Sequence, residues 1–391
     1  MNLVVLETAP SSCLGGQELS LLDITRGLAR RGHSITLLYV REGDLLEQYR
    51  TFCSRVIRVH GYSISRARQF RDVLGFLRDL TRVQGQSSML VYANQYMDSL
   101  FAATVAKLHR CPFVCHLRLP PPDVFCGQFR LGIARASSLI AVSERTRRDY
   151  VERGFNPDAI EVVHNGIDVS RFFVNGRSSL RPQLGLKSDD FIVTYAGRFH
   201  PVKGVNTLLA AIARLKHQQV RCELLLAGSA EIIPANGNYI AELREQIGNL
   251  GIAESVRWLG HRSDIPDLFA ASDVVVLPSL WSEPFGRTVI ESMACGTPAA
   301  ASRTGGIVEI LTGEFERFTF APGNSEELAH VLMSLKGWRL RDAGLAQRCR
   351  RHAVEKFGLE RTLNGVEQVL LRTLQKYGSG SLPPVSTRKI H

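Results

Sequence analysis

Two glutamates stand eight positions apart in the stretch SEPFGRTVIESMACGTP at residues 282–298. Glu283 lies before Pro-Phe-Gly, and Glu291 lies inside an apolar run. Two neighbouring carboxylates can form an acid and base pair, whereas two separated ones can accept hydrogen bonds from hydroxyl groups of one extended ligand. The local structure around them decides between these chemistries.

Local signals place the two glutamates on different elements. Pro284 disfavours a helical conformation in the residue before it, and Gly286 weakens helix propagation. The sequence therefore predicts a helix that begins near Arg287 and ends before Gly296. The first glutamate then lies in the preceding loop, and the second lies roughly 6 Å along the helix axis. Backbone amides at 285–288 lie between them and can donate to an anion, a geometry that suits a nucleotide sugar.

Other polar residues and glycines follow predicted strands. Arg198 and Lys203 in AGRFHPVKG come after a strand, where they can bind phosphate, although two surface charges explain them equally well. Gly15 and Gly16 open the first predicted helix and either approach an anion closely or form a plain turn. His116 ends another strand, either as a ligand contact or as a buried structural histidine.

Strand and helix patterns alternate along the chain and predict two doubly wound, Rossmann-like α/β domains. We expect an N-terminal domain at 1–170, a polar linker at 171–188 and a second domain at 189–359. A last helix at 360–376 precedes a tail at 377–391 that we expect to be disordered. Ligands of such sheets bind at the carboxyl ends of strands, so we expect the domains to face each other across a cleft that holds the site.

The composition is that of a globular protein, with 45% apolar and 22% charged residues among 391. No apolar run approaches the roughly 18 residues of a membrane span. The first ten residues, MNLVVLETAP, predict a strand rather than a signal peptide, so we expect a cytoplasmic protein with reduced cysteines.

The formal net charge is +11, and residues 55–82 contain seven arginines but only two aspartates. Such a patch suits a polyanion, a membrane surface or a phosphorylated substrate, and a solvated basic face explains it equally well.

The cluster HRCPFVCH at 109–116 raises the question of a zinc site. Cys115 and His116 are neighbours on a predicted strand, so their side chains point to opposite faces and cannot easily share a tetrahedral ion. We therefore expect no metal.

The ordered motifs of the chain resemble the retaining glycosyltransferases of family 4, also called group 1 glycosyl transferases, which have the GT-B fold. The resemblance covers almost the whole chain and rests on the stretch with both glutamates and on GGQE at 15–18, AVSERTRRDYVERG at 141–154, VVHNGID at 162–168, AGRFHPVKG at 196–204, LLLAG at 224–228 and SRTGGIVEI at 302–310.

The resemblance implies a role for each charged residue. Glu291 would bind the ribose of a nucleotide sugar, and Glu283 would bind hydroxyl groups of the donor sugar near the reacting centre. Arg198 and Lys203 would neutralise the diphosphate leaving group. The expected catalytic set consists of His116, Glu283, Arg198 and Lys203.

The resemblance also implies roles for backbone groups and for the N-terminal domain. Amides of Phe285, Gly286 and Arg287 would support the sugar and the phosphates. Gly16 would face the phosphates from the first domain, and His116 would lie near the donor sugar. The last helix, at 360–376, would pack back on the first domain.

The implied activity is transfer of a sugar from a UDP- or GDP-sugar to an acceptor hydroxyl with retention of anomeric configuration, without a metal or another cofactor. The acceptor would be a saccharide or a lipid-linked molecule, with peripheral contact to the inner face of a membrane left open, and no nucleic acid is expected. ANQY at 93–96 and HLRLPPPD at 116–123 depart from the family pattern and leave the acceptor undetermined. Two other functions remain open: a sugar-nucleotide epimerase of similar two-domain fold, and a non-catalytic nucleotide-sugar-binding homologue.

Overall fold

The computed structural model describes residues 1–65, 69–173, 180–229, 237–381 and Val385. Arg66 and Arg68 of the arginine-rich segment, and most of the predicted tail, lie outside these residues. The chain divides into two compact units. The first contains Met1–Ser12, Gly16–Asn165 and Leu359–His391, and the second contains Cys13–Gly15 and Gly166–Gly358.

The first unit is built on a seven-stranded sheet whose strand order is β3-β2-β1-β4-β5-β6-β7, with every pair parallel. Its strands are β1 (Asn2–Glu7), β2 (Ser34–Tyr39), β3 (Arg55–Arg58), β4 (Met89–Ala93), β5 (Phe113–Leu117), β6 (Ser138–Ala141) and β7 (Ile160–Val162). Its helices are α1 (Gly16–Arg30), α2 (Leu46–Arg50), α3 (Gln69–Arg82), α4 (Ser99–His109), α5 (Gly127–Ile133), α6 (Glu144–Glu152) and α16 (Leu359–Ser379).

The central strand β1 shows why this sheet is covered on both faces. Val4 and Leu6 pack into one hydrophobic core, and Leu3 and Val5 pack into another on the opposite face. Alternate residues of a strand point to opposite faces, so a continuous apolar strand requires helices on both sides.

The last helix, α16, packs on the first unit, beside α1. Gly27 permits the close approach, because a Cβ added there would lie 2.4 Å from Cδ1 of Leu363. Arg31 of α1 also forms ion pairs of 2.6 Å with Glu360 and Glu367. The helix extends three residues beyond the end expected from the sequence.

The second unit contains a six-stranded parallel sheet in the order β10-β9-β8-β11-β12-β13. Its strands are β8 (Ile192–Ala196), β9 (Glu223–Ala227), β10 (Val256–Gly260), β11 (Val274–Leu277), β12 (Ala299–Ser302) and β13 (Thr319–Phe320). Its helices are α7 (Leu180–Gln183), α8 (Val205–His217), α9 (Gly237–Asn249), α10 (Ile265–Ala271), α11 (Arg287–Ala294), α12 (Ile307–Ile310), α13 (Ser325–Leu335), α14 (Trp338–Arg341) and α15 (Leu345–Phe357). In both sheets all strands are parallel, and the strand order reverses between the unit's first and fourth strands, β1 and β4 in the first unit and β8 and β11 in the second. Nucleotides bind at such a switch point in open parallel sheets.

The described part of the predicted linker 171–188 does not stand apart from the second unit. Leu180 and Leu186 are buried in its core. Arg181 is buried too and forms an ion pair of 2.8 Å with Asp273. The described part of this segment thus packs into the second unit.

Within the described ranges, no helix has both the length and the apolar composition needed to cross a membrane.

Candidate functional site

A short turn after β8 positions the two cations predicted from AGRFHPVKG. The backbone passes Arg198 and enters a 3₁₀ turn at Pro201–Lys203. Gly204 then adopts φ +66°, and a Cβ there would lie 2.1 Å from the carbonyl oxygen of Pro278. Only glycine allows this close contact between the loops that follow β8 and β11.

Glu283 lies in the loop after β11, as the sequence predicts, and its carboxylate is the most heavily bonded group of the site. Lys203 Nζ donates to both carboxylate oxygens, at 3.0 and 2.7 Å. Ser279 Oγ and Trp281 Nε1 each donate to Oε2 at 2.9 Å. Of these bonds Oε1 accepts only one, so it keeps capacity for a ligand hydroxyl.

The charges around this pair determine its protonation. Burial by itself would raise the pKa of Glu283, but the Lys203 charge and the hydrogen bonds from Lys203, Trp281 and Ser279 outweigh burial and lower that pKa. The pKa of His200 is lowered by burial and by the charges of Arg198 and Lys203. The carboxylate therefore stays ionised beside a strongly positive loop.

The glycines of SRTGG hold the Glu283 loop from behind. Gly306 N donates to the carbonyl oxygen of Glu283 at 2.7 Å. Gly305 adopts φ +58°, and a Cβ there would lie 2.0 Å from the same oxygen. In the sequence these glycines are recognisable as part of a motif, but no contact is predicted for them.

The second glutamate lies on α11, whose bounds confirm the predicted helix. Gly286 caps it with φ +105°, and Phe285 is buried against Phe357 with ring centroids 5.7 Å apart. Arg287 Nε donates to Glu291 Oε1 at 2.6 Å, and both side chains are largely buried. From the sequence only the backbone amide of Arg287 is predicted to have a role, although the spacing of four residues on a helix also favours this ion pair.

The predicted glycines of the first helix lie at its start. Gly15 adopts φ +137°, which side-chain-bearing residues rarely reach, and Gly16 is the first residue of α1. Gly16 is exposed, so its amide is accessible to an anion.

His116 lies at the carboxyl end of β5 and is fully buried. Burial and the Arg118 charge hold the pKa of its imidazole well below the usual range. Tyr92 Oη bonds to its Nδ1 at 2.5 Å, and burial raises the pKa of Tyr92 to about 12. The hydroxyl is therefore the donor, and the neutral ring carries its proton on Nε2. That atom has no hydrogen-bond partner in the part of the chain that is described.

A buried polar network, which the sequence reasoning missed, follows the ends of three strands in the same unit. Arg118 Nε donates to Asn94 at 2.5 Å, and its Nη1 donates to Asn165 at 2.9 Å. Asn94 donates in turn to Glu7 at 2.9 Å. Polar residues at the ends of apolar strands, such as Glu7 after LVVL, were the available signal.

Two buried carboxyl groups, Glu7 of this network and Asp98, have raised pKa values. Burial raises the pKa of Glu7 to about 7, against the opposing effects of hydrogen bonds from Ala9, Asn94 and Thr8 and of the Arg118 charge. Burial, together with the Glu7 charge, raises the pKa of Asp98 well above its ordinary value.

Cys115 and His116 point to opposite faces of β5, as predicted. Cys115 packs into one core, while His116 contacts Tyr92, which belongs to the core on the other face. Among the residues with described positions, no three His, Cys, Asp or Glu side chains are grouped to hold a metal ion.

The structure thus brings together Lys203 with Glu283, and Arg287 with Glu291, inside the second unit. Gly16 and His116 belong to the first unit. Their contact with a donor stays a prediction.

Two family models match the chain. The model for glycosyl transferases group 1 matches residues 176–353, and the model for glycosyltransferase family 4 matches residues 14–171. Together the two ranges contain all the motifs on which the resemblance rests.

Curated proteins with similar sequences include two D-inositol 3-phosphate glycosyltransferases. The protein of Salinispora arenicola is 29% identical over 295 residues, which are 72% of this chain and 64% of that protein. The protein of Rhodococcus jostii is 33% identical over 259 residues, which are 63% of this chain and 56% of that protein. The matches thus span less than two thirds of these relatives' length.

Solved structures confirm the predicted GT-B class of fold. HepE of Anabaena, in complex with UDP and glucose, has a TM-score of 0.82 and 26% sequence identity, over 95% of this chain and 99% of that chain. Its complex with UDP-glucose has a TM-score of 0.81 at the same identity. WaaG, a glycosyltransferase involved in lipopolysaccharide biosynthesis, has a TM-score of 0.68 at 16% identity, over 94% of this chain and 99% of that chain, and shows a likeness of fold alone.

Proposed function

The chain belongs to the group 1, or family 4, glycosyltransferases, and from this we propose that it transfers a sugar from a nucleotide-sugar donor to an acceptor hydroxyl with retention of anomeric configuration. The observation that carries the proposal is the ion pair of Lys203 and Glu283, 2.7 Å long and held at the carboxyl ends of two neighbouring strands. Parallel sheets of this kind bind ligands at those ends.

The donor's nucleotide end binds near α11. Glu291 accepts hydrogen bonds from the ribose hydroxyls, and the buried Arg287 orients its carboxylate. Amides of Phe285, Gly286 and Arg287 at the helix N-terminus donate to the phosphates and the sugar. This assignment rests on the family resemblance and on the position of these groups along one loop and helix.

The reacting end of the donor binds near Glu283. Its Oε1 accepts from a sugar hydroxyl, while Lys203 uses two of its three ammonium donors on the carboxylate and turns the third toward the diphosphate. Arg198 adds a second positive charge. Positive groups fixed before the reaction stabilise charge that develops on the leaving group, which is usually the largest catalytic contribution.

The chemical step breaks the bond between the anomeric carbon and the diphosphate oxygen, and the electron pair leaves with the diphosphate. The acceptor oxygen forms its bond on the same face of the sugar, and its proton passes to the leaving phosphate. Arg198 and Lys203 supply the positive charge at the diphosphate, so no cofactor is part of the proposal.

We propose a UDP-sugar as the donor to test first, because HepE binds UDP-glucose and is 26% identical to this chain. A GDP-sugar is the second choice. The acceptor is a saccharide or a lipid-linked hydroxyl compound.

A donor screen with and without acceptors tests the proposal. We expect one nucleotide sugar to raise the melting temperature, because a ligand that binds the native state stabilises it. We also expect nucleoside diphosphate to be released faster when an acceptor is present. Isomerised nucleotide sugar without release would support the epimerase alternative, and binding without any turnover would support a non-catalytic homologue.

A further inference from the structure

Helix α3 of the first unit carries an apolar stripe on its outer surface. Phe70, Leu74 and Leu77 are 89%, 69% and 55% exposed, and Val73 lies beside them at 37%. These four are among thirteen exposed large apolar side chains in the described residues, and they fall within eight positions of one helix. Single exposed apolar residues need no explanation, whereas a contiguous group of this kind marks an interaction surface.

The inner face of α3 fixes this orientation. Asp79 is fully buried and accepts from the amide of His60, and Asp72 accepts from the amide of Ser65 at 2.9 Å. Phe76 packs edge-on against Phe101 with centroids 5.0 Å apart. Turning the stripe inward would expose Phe76 and strip both carboxylates of their partners, so the stripe must face outward.

Three arginines lie along one flank of the stripe. Residues advance by about 100° around a helix, which puts Arg71, Arg78 and Arg82 on one line, roughly 100° from the centre of the stripe. All three are exposed, whereas both aspartates of α3 lie on the buried face. The outer face of the helix is therefore apolar along its middle and positive along one edge.

A recess beside α3 extends this positive edge. Its volume is about 340 Å³, and its lining residues are Val40, Arg58, Val59, His60, Arg78 and Arg82. Arg78 and Arg82 contact the buried Asp79, and Arg58 lies 3.6 Å from Glu42, yet the three guanidinium side chains remain 46–63% exposed. Their charge is thus available to an anionic group.

From this arrangement we infer that α3 is a docking surface for an anionic lipid bilayer. A helix that lies in a membrane interface buries its apolar face at the boundary of the acyl chains, and arginines along its edge reach the phosphates. The charge of this edge selects a negatively charged surface over a neutral one. The inference is independent of the donor site and goes beyond the proposed transfer reaction.

Vesicle sedimentation with matched substitutions tests the inference. We expect wild-type protein to bind phosphatidylcholine vesicles that contain phosphatidylglycerol, and to leave pure phosphatidylcholine vesicles unbound. Phe70→Ser and Leu74→Ser should each weaken binding roughly tenfold, because each removes a large apolar side chain from the interface. Leu340→Ser, which changes a leucine that is 94% exposed on α14 of the second unit, should bind as wild type.

The charge requirement has its own pair of variants. Arg71→Gln should weaken binding and reduce its sensitivity to salt, because it removes one contact to a lipid phosphate. Arg221→Gln, which changes an exposed arginine of the second unit, should leave binding unchanged. Circular dichroism measures whether each variant is folded. We expect all of them to be folded, because truncation of an exposed side chain leaves the core intact.

Three results would overturn the inference. The first is equal binding to charged and neutral vesicles, and the second is wild-type binding by both Phe70→Ser and Leu74→Ser. The third is a wild-type protein that does not bind vesicles but forms a dimer, which the Phe70→Ser substitution dissociates. A second copy of the chain would then cover the stripe. The thermal shift caused by a UDP-sugar, measured on the same variants without vesicles, should equal that of wild type and reports separately on the donor site.

Discussion

Lys203 and Glu283 form a largely buried ion pair in the second unit. The carboxylate receives bonds from Lys203, Ser279 and Trp281, and the ammonium also lies 5.4 Å from the centre of the Trp281 ring. Because both charged groups are about seven-eighths buried, each would be costly to retain without the other. In the proposed mechanism Glu283 binds the sugar and Lys203 stabilises the leaving group.

Substitution of Lys203 tests the catalytic role proposed for it. Lys203→Ala should lower turnover at least about a hundredfold, because it removes a positive charge at the leaving group. Steady-state release of the nucleoside diphosphate measures this effect. Lys187→Ala, which alters an exposed lysine of the same unit, is the control and should keep wild-type turnover. Wild-type activity of a folded Lys203→Ala protein would refute the role in leaving-group stabilisation.

Glu291 should govern donor affinity. Glu291→Gln removes the charged acceptor for the ribose hydroxyls, so donor binding should weaken by about tenfold to about a hundredfold. Calorimetric titration with the donor measures this change, and Glu355→Gln, at an exposed position of α15, provides the matched control. Unchanged affinity in Glu291→Gln would remove the ribose assignment.

At the scale of elements, three connecting loops position these side chains. The loops after β8 and β11 meet where Gly204 contacts Pro278, and the loop after β12 supports Glu283 through Gly305 and Gly306. Adjacent strands in the order β8-β11-β12 bring these loops to one edge of the sheet. The site is therefore as rigid as the glycine contacts that join its loops.

Two glycines offer a matched test of that support. Gly305 and Gly313 have nearly the same left-handed backbone, at φ +58° and +62°, but an added Cβ meets the Glu283 carbonyl only at Gly305. Gly313→Ala should cost about 1 kcal/mol of unfolding free energy, which is the backbone cost alone. Gly305→Ala should cost at least about 2 kcal/mol and should also lower turnover, since the loop must move. Denaturant unfolding and kinetics measure both effects, and equal behaviour of the two variants would contradict the proposed support.

Local signals predicted the elements better than the contacts between them. Pro284 and Gly286 sufficed to predict where α11 begins, because helix boundaries depend on neighbouring residues. The bond between Lys203 and Glu283 joins positions 80 residues apart, and it exists because β8 and β11 are neighbours in the sheet. Periodicity alone does not determine which strands become neighbours, so the sequence indicated both residues without predicting that they touch.

At the scale of the whole molecule, the buried carboxyl groups Glu283, Glu7 and Asp98 have pKa values that are shifted in opposite directions in the two units. In the second unit Glu283 has a counter-charge, and its pKa is lowered. In the first unit burial dominates at Glu7 and Asp98, and both pKa values are raised. The stability of the protein should therefore depend on pH through the first unit at near-neutral values.

Glu7 should give this dependence a definite sign. Its pKa rises from 4.5 to about 7 on folding, so the stability that it contributes is complete below 4.5 and is lost as pH rises to about 7. The pKa of His116 is lowered from 6.5, and its contribution changes in the opposite direction. We therefore compare the pH dependence of two proteins. Between pH 4.5 and about 7, the slope of unfolding free energy against pH should be more negative in wild type than in Glu7→Gln.

The slope difference should reach at most about 1.4 kcal/mol per pH unit, the limit for one proton. Urea unfolding at a series of pH values measures it. Glu355→Gln should keep the wild-type slope, and a Glu7→Gln slope identical to wild type would show that Glu7 ionises normally in the folded protein.

Proton NMR of the anomeric signals during turnover addresses the whole reaction in one experiment. With UDP-glucose and a panel of saccharide and lipid-linked acceptors, we predict that an α-glucoside accumulates in the same amount as free UDP, since the donor is α-linked and the proposed reaction retains its configuration. A β-glucoside would contradict retention, and an isomerised UDP-sugar without free UDP would contradict glycosyl transfer itself.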